Sequence, residues 1–219
     1  MSWLFATIYD RFMSSAERAC LASWRAELLA EARGEVLEIG AGTGVNVDLY
    51  GAAVTRLVLA EPDVHMRRRL AARVAAHGAR RTEIVDAAAA PLPFENASFD
   101  TVVSTLVLCS VPDVPASLAE IRRVLRPGGR LLFLEHVAAE DRPDRLAWQR
   151  RLEPIWRRVS GNCHVTRRTG DEIRAAGFEI ERERRESVRK AMPIVRPSVR
   201  GVARAPSRAD DGPTQPGGV

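Results

Sequence analysis

Lysine is almost missing from this chain: Lys190 is the single one, and arginine supplies the other 32 of its 33 basic residues. A bias of that kind points to genome composition rather than to a function. Cysteine is scarce and odd in number. Cys20, Cys109 and Cys163 form no C-x-x-C pair, which argues against a disulfide framework or a zinc ribbon and for reduced thiols. Long apolar runs are missing too. The longest charge-free stretch, Thr101 to Pro112, falls far short of the roughly 20 residues needed to cross a bilayer, and no basic segment precedes an apolar run at the N-terminus. These absences predict a chain that is neither exported nor membrane-spanning and that works in the cytoplasm.

What is present describes an ordinary globular protein. With 219 residues, 46% hydrophobic and 28% charged, the chain can bury one good-sized core, and wholesale disorder, collagen and coiled coil are excluded as overall classes. Its net charge of +5 is unevenly spread: residues 1–141 carry 15 basic and 18 acidic side chains, whereas 142–219 carry 18 and 10. A basic C-terminal third can attract an anionic partner. Interspersed Arg and Glu, as from Glu179 to Arg189, read instead as a solvated, ion-paired surface.

Periodicity organises the rest. Leu4, Ile8 and Phe12, then Leu21, Trp24 and Leu28, recur at helical spacing and predict a helical lid over residues 1–34. Short apolar runs at Glu35 to Ile39, Arg56 to Ala60, Thr82 to Val85, Phe99 to Thr105 and Leu131 to Leu134 read as strands, with helical stripes between several of them. Helices are expected at Arg145 to Val159 and Asp171 to Ala176, and two closing strands at Phe178 to Ile180 and Ile194 to Val202. The fold class is therefore α/β, a doubly wound, mainly parallel seven-stranded sheet occupying residues 35–204. Residues 205–219, rich in proline and glycine, read as a disordered tail.

The chemistry concentrates at the ends of the strands. Val36-Leu37-Glu38-Ile39-Gly40-Ala41-Gly42-Thr43-Gly44 places glycines where the first strand turns, the edge at which doubly wound sheets bind ligands. The spacing is not the G-x-G-x-x-G of a dinucleotide site, and a P-loop lysine is absent. Instead Glu38 precedes the first glycine by two positions, Glu61-Pro62 ends the second strand and Asp86 ends the third, beside the small Ala87 and with Met66 on the intervening helix. Three carboxylates around a glycine turn would repel a pyrophosphate and suit a cationic ligand with a free ribose. S-adenosylmethionine meets that description.

In E-I-G-A-G-T-G, Glu61, Asp86-Ala87, S-F-D at Ser98 to Asp100 and R-V-L-R-P-G-G-R at Arg123 to Arg130, the chain resembles the class I S-adenosylmethionine-dependent methyltransferases over about residues 35–136. The resemblance implies that Glu38 orients the methionine amino end, that Gly40, Ala41, Gly42 and Gly44 form the cofactor turn, that Glu61 holds the ribose and that Asp86 and Ala87 read the adenine. Thr105 and Leu106 would border the methyl group. T-L-V-L-C-S-V at Thr105 to Val111, E-H-V-A-A-E at Glu135 to Glu140 and R-P-x-V-x-G at Arg196 to Gly201 look like the alkyl-thiol methyltransferases of the methyltransferase-like group. Tyr9 to Met13 is also similar to quinone C-methyltransferases and phospholipid N-methyltransferases. The apolar anchor of animal relatives has no counterpart, and peripheral contact with a membrane is left open.

Methyl transfer from a sulfonium depends on positioning, with a base needed only when the nucleophile holds its proton. His136, at the end of the fifth strand, is the candidate base, with a hydrogen-bonded supporting role behind the site as its other reading, and Tyr9 is a candidate border of the acceptor site. No paired spacing of histidine and cysteine supports a metal. Ser104-Thr105-Leu106-Val107 lacks the Asn-Pro-Pro-aromatic motif of many nucleic-acid methylases, so the expected acceptor is a small or lipophilic molecule, best a thiol, and not a nucleic acid. The alternatives are a quinone carbon, a phospholipid amine and, from another class, a noncatalytic S-adenosylmethionine-binding module. Nothing in the residues sets the oligomeric state.

Overall fold

The structure is a computed structural model of the chain, and it describes residues 15–77 and 81–207. Seven strands form one sheet: β1 (Gly34–Ile39), β2 (Val54–Ala60), β3 (Thr82–Val85), β4 (Phe99–Thr105), β5 (Leu125–His136), β6 (Glu179–Ser187) and β7 (Pro197–Arg204). Their order is β3-β2-β1-β4-β5-β7-β6. The β3, β2, β1, β4 and β5 strands run parallel, and β7 enters antiparallel between β5 and β6.

The helices are α1 (Ala22–Leu29, continuing a π-helical turn at Glu17–Leu21), α2 (Val64–His77), α3 (Val114–Val124), α4 (Pro143–Val159) and α5 (Thr169–Ala175). Strand alternation divides the core into two layers. Val36, Leu57, Leu59, Val103, Leu132 and Leu134 pack under Leu28, Leu29 and Leu70 of α1 and α2. Leu37, Ile39, Val102, Leu131 and Phe133 pack on the opposite face against Leu118, Ile121 and Ile173 of α3 and α5. α3 begins where Asp113 Oδ1 accepts the Ala116 N–H at 2.9 Å, and it stops at Val124, just before Arg126-Pro127-Gly128-Gly129.

Three strand expectations differ from the structure. β5 extends from Leu125 to His136 around the expected Leu131 to Leu134, taking in Arg126-Pro127-Gly128-Gly129. β6 continues through the Glu/Arg stretch that reads as a solvated surface, because it is the sheet edge and both of its faces meet water or ion-pair partners such as Arg174–Glu183 at 2.9 Å. The expected strand Ile194 to Val202 is split: Pro193–Val195 is a 3-10 turn and β7 begins only at Pro197. At the far end, Ala205 is buried and its N–H donates to the Gly129 carbonyl at 2.8 Å. Tyr9 and the rest of residues 1–14 lie outside the described residues, as do residues 208–219. Among the described residues no helix is long and apolar enough to cross a membrane.

Candidate functional site

Successive side chains of a strand point to opposite faces, so Glu38, Thr105 and His136, at the carboxyl ends of three strands, all face the layer covered by α1. A cleft of about 260 Å³ opens there, lined by Arg25, Glu38, Gly40, Ala41, Gly42, Thr105 and Leu106 together with Glu17, Thr43, Val45 and Arg73. Two glycines shape its floor for different reasons. Gly40 adopts φ +58°, and a Cβ there would sit 2.6 Å from Val107 Cγ2, so the neighbouring strand end excludes any side chain. Gly42 has the same φ, but a Cβ there would face open space with only the Gly40 carbonyl at 3.9 Å. Its backbone is thus bare on the side from which a ligand approaches.

Glu38 is only 2% exposed and anchors a buried polar network. Its Oε1 accepts from Asn46 Nδ2 at 2.7 Å and its Oε2 from the Tyr50 hydroxyl at 2.6 Å. Asn46 Nδ2 also donates to Thr105 Oγ1 at 3.0 Å. Arg25 closes the network from the lid: Nη1 donates to Thr105 Oγ1 at 2.7 Å and to Asn46 Oδ1 at 3.1 Å, while Nε pairs with Glu17 at 3.3 Å. Desolvation outweighs these donors and lifts the Glu38 carboxyl to about 7.

Glu61 locks the glycine turn to the end of β2. Its two oxygens accept the N–H groups of Gly42 at 2.8 Å and Asp63 at 2.9 Å, and burial raises its pKa. A carboxylate has about four lone-pair positions, so two acceptor positions stay available for a ligand diol. Beyond it, Met66 and Ala87 are buried and Pro62 is exposed. Asp86 is an exposed side chain whose Oδ2 takes Arg67 Nη2 at 2.6 Å, while Arg67 Nη1 reaches the Glu61 carbonyl at 2.7 Å. Gly44 turns away from the cleft: a Cβ there would meet Leu70 at 2.7 Å. The cleft therefore gathers Glu38, Gly40, Ala41, Gly42, Thr105 and Leu106, with Glu61 tied to its rim. Met66, Asp86 and Ala87 occupy the flank toward β3.

His136 is outside the cleft lining. It is 7% exposed, its Nδ1 lies 3.3 Å from Ser198 Oγ, and burial together with the Arg25 charge lowers its pKa to about 4. Such an imidazole is neutral near pH 7 but a weak base.

Sequence reasoning missed four residues of this region. Arg25 had a signal, since it falls between Leu21 and Leu28 at i+4 and i−3 and so occupies an apolar stripe with a cation. Asn46 and Tyr50 had none. Glu135 was visible only inside a motif. Its fully buried carboxylate accepts Ser104 Oγ at 2.6 Å and the successive N–H groups of Val107, Leu108 and Cys109 at 3.1 to 3.2 Å, which fixes the loop after β4 against the cleft.

The donor set suits S-adenosylmethionine: a buried carboxylate for an ammonium, a bare glycine backbone, and a second carboxylate with free lone pairs for a ribose. Comparison with known proteins agrees. Residues 37–133 match the family model described as a methyltransferase domain. The chain is 36% identical over 190 residues to the thiol S-methyltransferase TMT1B of Homo sapiens, covering 84% of this chain and 77% of that protein. It is 31% identical over 201 residues to human thiol S-methyltransferase TMT1A, covering 91% and 82% respectively. Its fold matches the N-methyltransferase NodS of Bradyrhizobium japonicum with a TM-score of 0.65 at 17% identity, over 90% of this chain and 99% of that one. The chain belongs to the class I S-adenosylmethionine-dependent methyltransferases, and S-adenosylmethionine is its methyl donor.

Proposed function

We propose that this enzyme methylates the sulfur of a small, lipophilic thiol. The observation that carries the reading is the place of His136: it is buried outside the cleft lining with Nδ1 3.3 Å from Ser198 Oγ, and burial holds its pKa down, so it is poorly placed to draw a proton from a ring carbon or an alcohol. A thiol, with an ordinary pKa near 8.5, delivers its own thiolate at neutral pH. The similarity to human thiol S-methyltransferases supports the same acceptor.

When bound, S-adenosylmethionine supplies an electrophilic methyl group on a sulfonium. The chain's own residues do the positioning. Glu38 takes the amino end of the methionine portion, held in orientation by Tyr50 and Asn46. Gly40, Ala41 and Gly42 bring backbone to the ligand, and Glu61 accepts the ribose hydroxyls while keeping the turn in place. Met66, Ala87 and Asp86 flank the adenine beside Pro62, and Arg67 holds the Asp86 carboxylate in place. Thr105 and Leu106 border the transferred methyl; Glu135 fixes the loop that follows them, and Arg25 pins Thr105 from the lid. Orientation of two reactants in this way contributes most of the acceleration of an in-line displacement.

The test is a side-by-side methylation assay with a small alkyl thiol, a demethylquinone and an aminophospholipid, using the parent enzyme and His136→Ala. Thiol turnover that survives the substitution is the expected result. Rejection of every thiol, with quinone or lipid amine methylated in a His136-dependent way, overturns the acceptor and leaves the family assignment standing.

A further inference from the structure

Among the described residues six large hydrophobic side chains are exposed, and five of them form one patch: Trp148, Leu152, Ile155 and Val159 on α4, and Met192 beside it. The four on α4 recur at i, i+4, i+7 and i+11, a single stripe along one face of the helix. Trp148, Ile155 and Val159 are each more than 60% exposed, so among the described residues most of the stripe is left uncovered. The helix is held in place from its other side. Gln149, fully buried, donates to the carbonyls of Val137 and Ile194 at 3.0 Å and accepts the Ala139 N–H at 2.8 Å. Trp156 packs into the cluster of Cys109, Cys163, Val165 and Val195. The buried side of α4 therefore lies over the segments that follow β5 and β4, and the stripe faces outward. A groove of about 720 Å³ between the start of α4 and residues 192–194 extends its apolar surface inward.

Arginines border the stripe. Arg145 precedes Trp148 by three positions, and Arg151 and Arg158 run along the other edge, with Asp141 and Asp144 the acidic side chains near the start of the helix. A second copy of the chain docking face to face would bring these arginines against their own symmetry equivalents. Anionic headgroups complement them, and an apolar stripe containing tryptophan between arginine rows is the pattern of a helix lying in a lipid interface.

We propose that α4 is a membrane-docking helix that seats the enzyme on an anionic bilayer through Trp148, Leu152, Ile155 and Val159, with Arg145, Arg151 and Arg158 on the headgroups. This surface is independent of which acceptor is methylated, because its readout is binding and not turnover.

The experiment is co-sedimentation of the full chain with vesicles of phosphatidylcholine alone and of equal parts phosphatidylcholine and phosphatidylglycerol, across a salt series. The variants are Trp148→Ser/Ile155→Ser and Arg151→Gln/Arg158→Gln, all at exposed positions, with cofactor binding as the check on folding. Binding is expected to anionic vesicles, to weaken as salt rises, to fall roughly fivefold per arginine removed, and to be lost in the serine pair. No binding to anionic vesicles, or binding that neither pair alters, overturns the proposal. So does a concentration-dependent dimer of the parent protein that the serine pair dissociates, which would assign the stripe to a second copy.

Discussion

Glu38 makes cofactor affinity depend on pH in a way a surface carboxylate cannot. Buried beneath α1, its carboxyl sits at about 7 instead of 4.5, so below neutrality the ligand-free enzyme holds a proton where the ammonium of the cofactor is to bind. The ammonium must expel that proton. If contact returns the group to its ordinary value, affinity falls roughly tenfold from pH 8 to pH 6 and close to another tenfold by about pH 5. Above about pH 8 the ligand amine loses its own proton and affinity declines again. S-adenosylhomocysteine carries the same amine and does not react, so calorimetric titration with it, in two buffers of different ionisation enthalpy, measures both affinity and proton release. Near pH 6 release should approach one proton per ligand. Glu38→Gln should remove the acid limb and weaken binding on the order of tenfold at pH 8.

The same proton sets a stability slope. Between 4.5 and about 7 the folded chain holds it and the unfolded chain does not, so this group's contribution falls as pH rises through that window, by about 3 kcal/mol in all. His136, lowered from 6.5 to about 4, acts in the opposite sense and costs stability as pH falls through its own window. Affinity that stays flat from acid to neutral pH, with no proton exchanged and the fold intact, would refute the reasoning for Glu38.

Three further outcomes follow from the site. Glu61→Ala removes the acceptor for the Gly42 and Asp63 N–H groups and should weaken S-adenosylhomocysteine binding tenfold or more by calorimetry, since hydrogen bonds to a charged group contribute about 1.5–3 kcal/mol. Gly40→Ala places a Cβ against Val107 at a positive φ and should cost about 1–3 kcal/mol in urea unfolding. Arg25→Gln cannot span Thr105, Asn46 and Glu17 together, and should lower both unfolding stability, by about 2 kcal/mol, and cofactor affinity.

The central parallel strands β1, β2 and β4 were legible because they are largely buried on both faces. Runs such as Val36 to Ile39, which ends at Gly40, and Leu57 to Ala60, which ends at Glu61-Pro62, are continuous, so both their position and their ligand edge can be read. β6 was not legible beyond its start, because an edge strand with Glu and Arg on alternating positions offers no apolar signal, and its register comes from pairing with β7. The glycine turn and Glu38 were visible for the opposite reason, being polar or small residues at the end of an apolar run. Asn46 and Tyr50 became partners of Glu38 only through the turn's path in space. Arg25 depends on tertiary packing as well: Arg200 of β7 holds α1 in place by pairing with Glu27 at 2.7 Å and stacking 5.6 Å from the Trp24 ring.

The place of β7 sets an order on biosynthesis. Everything that lines the cofactor cleft has been synthesised by residue 136, yet β5 lacks its second neighbour until residues 197–204 arrive and slot between it and β6. A nascent chain therefore passes through a stage in which the long β5 edge, with Leu132 and Leu134 on it, is unpaired and able to template association with other chains. Ser198, the residue beside the His136 ring, belongs to that last strand. Ribosome stalling or premature termination between residues 136 and 197 should yield aggregates rather than a soluble fragment that retains cofactor.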